Sequence, residues 1–133
     1  MNKPCDPAHR PLIRPRLYLG DELSLGPGKI DLLRKIGECG SISAAARALG
    51  MPYKRAWLLI DSLNRGLPSP VLDTAIGGQA GGGARLTALG EALVAAYGAL
   101  EAKLNASAKA ELGRIMRLVH RPAGAAPRAR RRR

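Results

Sequence analysis

The stretch that most narrows the folds open to this chain is "SISAAARALGMPYKRAWLLIDSLNRG", residues 41–66. Ser43 is placed to cap a short helix from Ala44 to Leu49, because its hydroxyl can accept a hydrogen bond from an amide the first turn leaves unpaired. Gly50 ends that helix, and Pro52 suits the first turn of the next, where a missing N–H costs nothing. Two short helices therefore meet across a tight turn. In the second, Ala56, Leu59, Ile60 and Leu63 form one apolar stripe, while Lys54, Leu58, Asp61 and Arg65 occupy the opposite face. Ala46 is small enough to let the two helices cross closely, and Leu49, Met51 and Leu59 take further inward positions. This is the helix-turn-helix pattern, whose second helix suits a major groove. An ordinary helical hairpin shares the local pattern, so the partner must be argued from charge.

The 133 residues carry 22 Lys and Arg against 10 Asp and Glu, a formal net charge of +12. Six of the arginines lie in "RPAGAAPRARRRR", residues 121–133, and removing them still leaves +6. Such a balance favours a polyanion. Nucleic acid is preferred to a membrane surface, because no basic amphipathic helix with an aromatic face is present. A chain of this length has room for one domain with appendages, not for a catalytic core with a separate substrate domain. Cys5 and Cys39 form no CxxC and stand away from ligand spacing with His9 or His120, so no metal site is expected. "MNKPCDPAHRPLIRPR" has no apolar run fit for a signal peptide, and no segment approaches the roughly 18 apolar residues of a membrane span. The expected setting is cytoplasmic, on the nucleoid, with the thiols reduced.

Residues 1–16 are rich in Pro and Arg and are expected to form a flexible basic arm. "RLYLGDELSLGPG" alternates apolar and polar residues around Gly20-Asp21, predicting a short hairpin. Ile30, Leu33 and Ile36 predict a first helix from about Pro27 to Glu38. After Gly66, a strand is predicted around Val71 to Ile76 and a return strand at "ARLT", with the glycines of "GGQAGGGARLT" at the tip between them. A glycine-rich hairpin directly after a recognition helix is where a winged helix carries its wing, whose bare amides can approach phosphates. A P-loop would need GxxxxGK[ST], and here Arg85-Leu86 follows the glycines. A nucleotide-dependent enzyme is therefore the weaker reading, and a flexible linker is disfavoured by strand-like flanks.

From Thr87, an expected N-cap, Leu86, Leu89, Leu93, Tyr97, Leu100 and Leu104 recur at spacings of three and four, and Ala108, Leu112, Ile115 and Val119 continue the stripe. One long helix over 87–120 is predicted. Its stripe exceeds what a small winged domain can bury, so Leu89, Leu93, Tyr97, Leu100 and Leu104 are expected at a homodimer interface. Cover from the N-terminal hairpin of the same chain is the alternative.

With these residues assembled, "GSISAAARALGMPYKRAWLLIDSLN" through "GGQAGGGARLTALGEALVAAY", roughly residues 27–104, resembles the DNA-binding domain of the ModE family of molybdate-responsive regulators, related to the LysR-type winged helix. Tyr53-Lys54, Ala56-Trp57, the glycine-rich wing and Leu86-Thr87 with Gly90 carry the resemblance. It implies a homodimeric winged helix reading a palindromic operator. Full-length members sense molybdate in C-terminal domains; beyond the wing this sequence has only a helix and an arginine tail, so no direct molybdate site is expected. Pro52 stands where the family usually has serine, and Thr74 and Gln79 where it is commonly basic.

The fold expected is mainly α with small β-hairpins: a winged helix-turn-helix over 17–86, a dimerisation helix over 87–120 and a disordered tail over 121–133. The partner expected is double-stranded DNA, with no membrane, no cofactor and no catalytic residue. The expected DNA-binding residues are Ser41, Ser43, Pro52, Tyr53, Lys54, Arg55, Trp57, Leu58, Gly82 and Arg85. Lys54 and Arg55 reach base edges or flanking phosphates. Ser41 and Ser43 donate to backbone oxygens, and Gly82 and Arg85 bring the wing to phosphate. For Tyr53 and Trp57, DNA contact and core packing stay equally open. A sequence-tolerant architectural protein is the alternative among DNA binders.

Overall fold

The computed structural model describes residues 12–74 and 83–120. The expected arm before residue 12, the wing tip at 75–82 with Gly82, Ile76 and Gln79, and the tail at 121–133 lie outside the described residues. The described elements run β1 (Leu17–Tyr18), β2 (Ser24–Leu25), α1 (Pro27–Cys39), α2 (Ile42–Ala48), α3 (Tyr53–Gly66), β3 (Leu72–Thr74), β4 (Ala84–Leu86), α4 (Ala88–Ser107) and α5 (Lys109–Val119). The protein is mainly helical with two antiparallel hairpins, the winged helix-turn-helix that the sequence predicts. Residues Arg14–Glu101 form one compact unit, and the remaining described residues form a second.

Within Arg14–Glu101 the stripe of α1 is fully buried: Ile30, Leu33 and Ile36 are inaccessible, joined by Leu32. Ala46 from α2 and Ala56, Ile60 and Leu63 from α3 complete the core, as the sequence spacing requires, and Ala45, which that spacing did not mark, is buried with them. The turn between α2 and α3 has a specific closure. The Gly50 N–H donates to the Arg47 carbonyl at 3.1 Å and the Met51 N–H to the Ala46 carbonyl at 2.9 Å, the paired bonds of a Schellman motif. Gly50 sits at φ 68°, a left-handed conformation that a Cβ opposes.

Two local expectations shift. Ser41, not Ser43, caps α2: its backbone is extended (φ −155°, ψ 151°) and its Oγ accepts from the Ala44 N–H at 3.0 Å. Ser43 lies inside the helix, where it is exposed and its helical backbone cannot serve as a cap. Pro52 is the N-cap of α3 instead of a residue of its first turn (φ −63°, ψ 145°). Its extended ψ still leads the chain into the helix without needing an N–H.

β3 and β4 pair Leu72 with Leu86, Asp73 with Arg85 and Thr74 with Ala84. On its other edge β4 meets the turn after α1: the Ala84 N–H donates to the Gly40 carbonyl at 2.8 Å, and Ser41 bridges Gly83. The described base of the wing is thus tied to the residue that caps α2. At the start of α4, the Thr87 Oγ1 accepts from the Gly90 N–H at 3.1 Å, the cap the sequence predicts, and the same hydroxyl donates to the Pro70 carbonyl at 2.8 Å. A Cβ on Gly90 would stand 2.4 Å from the Val71 carbonyl oxygen, so only glycine lets α4 begin this close to β3.

The single helix expected over 87–120 is broken. Ala108 (φ −105°, ψ 18°) leaves helical geometry between α4 and α5. Neither proline nor glycine stands at the break, and nothing in the local chemistry of Ala108 accounts for it.

The stripe of α4 divides as well. Leu93 is half-buried and packs on the core, while Leu89 and Leu100 are half-buried. Tyr97 is 2% exposed, and its hydroxyl donates to the Pro15 carbonyl at 2.6 Å. The interface expected at Tyr97 from periodicity does not fit its burial within its own chain, where the Arg34 guanidinium lies 6.0 Å from the ring centroid and the segment before β1 takes the hydroxyl. Arg14, next to Pro15, bonds Asp31 at 2.6 Å and Glu101 at 3.4 Å. In the second unit Leu104 is half-buried, and Asn105 both accepts from the Ile13 N–H at 2.7 Å and donates to its carbonyl at 3.0 Å. No helix among the described residues is long and apolar enough to cross a membrane.

Candidate nucleic-acid interface

The site is built on α3. Ala56, Ile60 and Leu63 anchor one side of that helix in the core, so the other side must face outward. On it stand Tyr53, Lys54, Arg55, Leu58, Asp61 and Arg65, all exposed. Positions 54, 58, 61 and 65 recur at helical spacing and form one stripe. Lys54, Arg55, Asp61 and Arg65 make no ion pair among the described residues, and Arg47 of α2 makes none either. By contrast Arg14, Arg34 and Lys35 are engaged with carboxylates. The exposed face of α3 therefore carries charge that the fold itself does not use.

The aromatic pair resolves unequally. Trp57 is half-buried and packs against the core, whereas Tyr53 is 53% exposed. Their rings meet edge to face with centroids 6.4 Å apart, so the indole holds the phenol at the outer end of α3. Pro52 and Ser43 are exposed, and Ser41 is half-buried with its oxygen engaged in the cap. A hydroxyl that accepts from Ala44 keeps its own proton to donate. Arg85 is exposed on β4 but in register with Asp73. No ion pair joins them among the described residues, yet the neighbouring carboxylate reduces the positive potential at the wing base. Gly82 lies outside the described residues.

Lys29 was not singled out from the sequence. It is 9% exposed on α1, and its ammonium donates to the Ser24 carbonyl at 2.6 Å and to the Ser62 hydroxyl on α3 at 3.0 Å. Burial, together with the positive charges of Arg16 and Arg65, pushes it below the usual lysine value. The lysine ties α3 to α1 and β2 from beneath the exposed face. Its signal was available: Lys29 stands four and seven residues before Leu33 and Ile36, on the inward stripe, where a lysine needs buried acceptors.

Residues 28–91 match the bacterial regulatory helix-turn-helix protein family named lysR. That match covers α1 through the first turn of α4, including both helices of the motif and the base of the wing. Residues 28–91 are a lysR-family helix-turn-helix domain. The chain is similar to "Molybdenum-pterin-binding protein MopB" of Rhodobacter capsulatus, 54% identical over 78 residues, which are 59% of this chain and 29% of the relative. It is similar to "Transcriptional regulator ModE" of Haemophilus influenzae, 39% identical over 85 residues, 64% of this chain and 33% of the relative. It also resembles "DNA-binding transcriptional dual regulator ModE" of Escherichia coli K12, 40% identical over 81 residues, 61% of this chain and 31% of the relative. The resemblance to the ModE family read from the motifs is thereby sustained. The chain spans about a third or less of these relatives' own length.

Proposed function

We propose that this protein is a sequence-specific regulator of transcription that binds double-stranded DNA, with α3 of its lysR-type domain in the major groove. The observation that carries the reading is the outward face of α3, where Lys54, Arg55 and Arg65 stand without an ion pair among the described residues, on a helix whose other face is locked into the core. A helix presenting unpaired cations and a tyrosine at its amino end meets both needs of an operator: phosphate neutralisation and access to base edges. Ser43 and Arg47, exposed on the helix that packs against α3, and Arg85, exposed on β4, suit backbone phosphates. The names of the relatives support regulation of transcription as the outcome.

We further propose a homodimer on a palindromic operator. Leu100 and Leu104 are half-buried, and Ile115, Leu118 and Val119 of α5 are 54%, 80% and 64% exposed. A second copy of the chain would cover such surface, and two domains on one axis would set half-sites about 34 Å or a multiple apart. The molybdenum in the relatives' names supports control of molybdenum-linked genes as the setting.

The test is selection of bound duplexes from a random-sequence pool by the full chain, followed by footprinting of the selected sites at several salt concentrations. Enrichment of a palindromic consensus that outcompetes random duplex supports the proposal. Binding without enrichment would instead identify a sequence-tolerant architectural protein, the alternative raised by the arginine-rich tail.

A further inference from the structure

Leu58 is an apolar side chain on the outward face of α3, 58% exposed, while Ile60 and Leu63 of the same helix are 1% and 0% exposed. One exposed leucine is ordinary on a protein surface. Its surroundings are not. Lys54 lies four residues before it, Arg55 three before it, Asp61 three after it and Arg65 seven after it, all exposed and on the same side of the helix. A face serving only to hold phosphates would carry cations and hydroxyls. Leu58 offers phosphate no hydrogen bond, and the Asp61 carboxylate is repelled by it, so the middle of this face does not suit the backbone.

Both side chains do have counterparts on base edges. A carboxylate accepts from the cytosine amino group, and an apolar side chain meets the 5-methyl group of thymine. Leucine cannot hydrogen-bond, which leaves the methyl group as the feature of the major groove it can recognise. Resting on the DNA-binding reading above, we propose that Leu58 reads a thymine methyl group and so determines one thymine in each half-site of the operator. The cations around it supply attraction without sequence information, while Leu58 adds discrimination with little attraction of its own.

Deoxyuridine tests this directly, because it pairs as thymidine does but lacks the methyl group. Using the best duplex selected by the full chain, each thymine is replaced in turn and the affinities of the parent, Leu58→Ala and Leu58→Met are measured. Burial of one methyl-sized group predicts that the parent loses about threefold to fivefold at one position per half-site. Leu58→Ala is expected to bind thymine and deoxyuridine equally at that position, and Leu58→Met, which keeps the apolar reach, to retain part of the difference. Circular dichroism reads whether each variant is folded, and the thymine-to-deoxyuridine ratio taken within each variant separates methyl recognition from any change in overall affinity. A parent indifferent to deoxyuridine at every position, or a methyl effect that persists undiminished in Leu58→Ala, overturns the inference while leaving DNA binding in place. Failure to enrich any sequence from the pool removes operator recognition itself, and this inference with it.

Discussion

Replacing Gly90 by alanine is the sharpest test of how the wing is joined to α4. In an unobstructed helix the change stabilises by about 0.5–1 kcal/mol, because alanine has less backbone freedom to lose. At Gly90 the new Cβ would lie 2.4 Å from the Val71 oxygen, 3.3 Å from the Val71 carbonyl carbon and 3.4 Å from the Leu86 Cβ. Val71 cannot retreat easily. It is fully buried, its N–H donates to the Asn64 Oδ1 at 3.0 Å, and its carbonyl accepts from the Thr87 N–H at 2.9 Å. Relief to an ordinary contact requires a shift of about 1 Å, which strains or breaks the bond to Thr87. Overpacking costs about 1–3 kcal/mol and the lost hydrogen bond about 0.5–1.5 kcal/mol. After the helix gain is subtracted, Gly90→Ala is expected to destabilise by about 0.5–4 kcal/mol. For a unit of this size each kcal/mol lowers the melting temperature by about 4–8 °C. Urea and thermal melts of the variant beside Gly28→Ala, where a Cβ meets nothing within 4 Å, provide the measurement. Gly28→Ala should be neutral or stabilising. A Gly90→Ala protein as stable as its parent would refute the close-contact argument.

Lys54→Ala is expected to weaken operator binding by about 1–3 kcal/mol if the ammonium reads a base, and less if it touches only phosphate, as read by titration against the selected duplex. Deleting residues 121–133 should weaken binding to all sequences alike and flatten the dependence of log K on log salt by up to about 0.9 for each of the six arginines engaged. Glutamates at Leu100 and Leu104 should shift the sedimenting species from dimer to monomer at micromolar concentration and weaken operator binding steeply; a parent that already sediments as a monomer refutes the dimer. Tyr97→Phe should cost about 1 kcal/mol near neutral pH through loss of the bond to Pro15. Burial, chiefly, raises the Tyr97 phenol above its ordinary value of 10. The folded state therefore keeps its proton where the unfolded chain releases it, and the stability this contributes is lost as pH rises from 10 through the folded value. Denaturation of the variant above pH 10 should show a shallower alkaline loss than the parent.

The features legible in the sequence were local ones. The alanines at 46 and 56, the glycine at 50 and the alternation of Ile60 and Leu63 with Lys54, Leu58, Asp61 and Arg65 dictated two crossing helices and the face α3 turns outward. These signals were legible because each depends on neighbours within one or two turns. The cap of α2 was misplaced by two residues because Ser41 and Ser43 are chemically alike. The extended backbone at Ser41, beside its bridge to Gly83, decided between them. Tertiary structure alone also decided the fate of side chains whose partners are distant in sequence. Tyr97 looked like one more member of an interface stripe until the Pro15 carbonyl, 82 residues away, took its hydroxyl. Lys29 drew no notice in the sequence, and its role rests on Ser24 and Ser62, which take up its ammonium. Periodicity reports that a face will be covered, but hydrophobic burial is non-directional, so what covers it depends on the path of the whole chain.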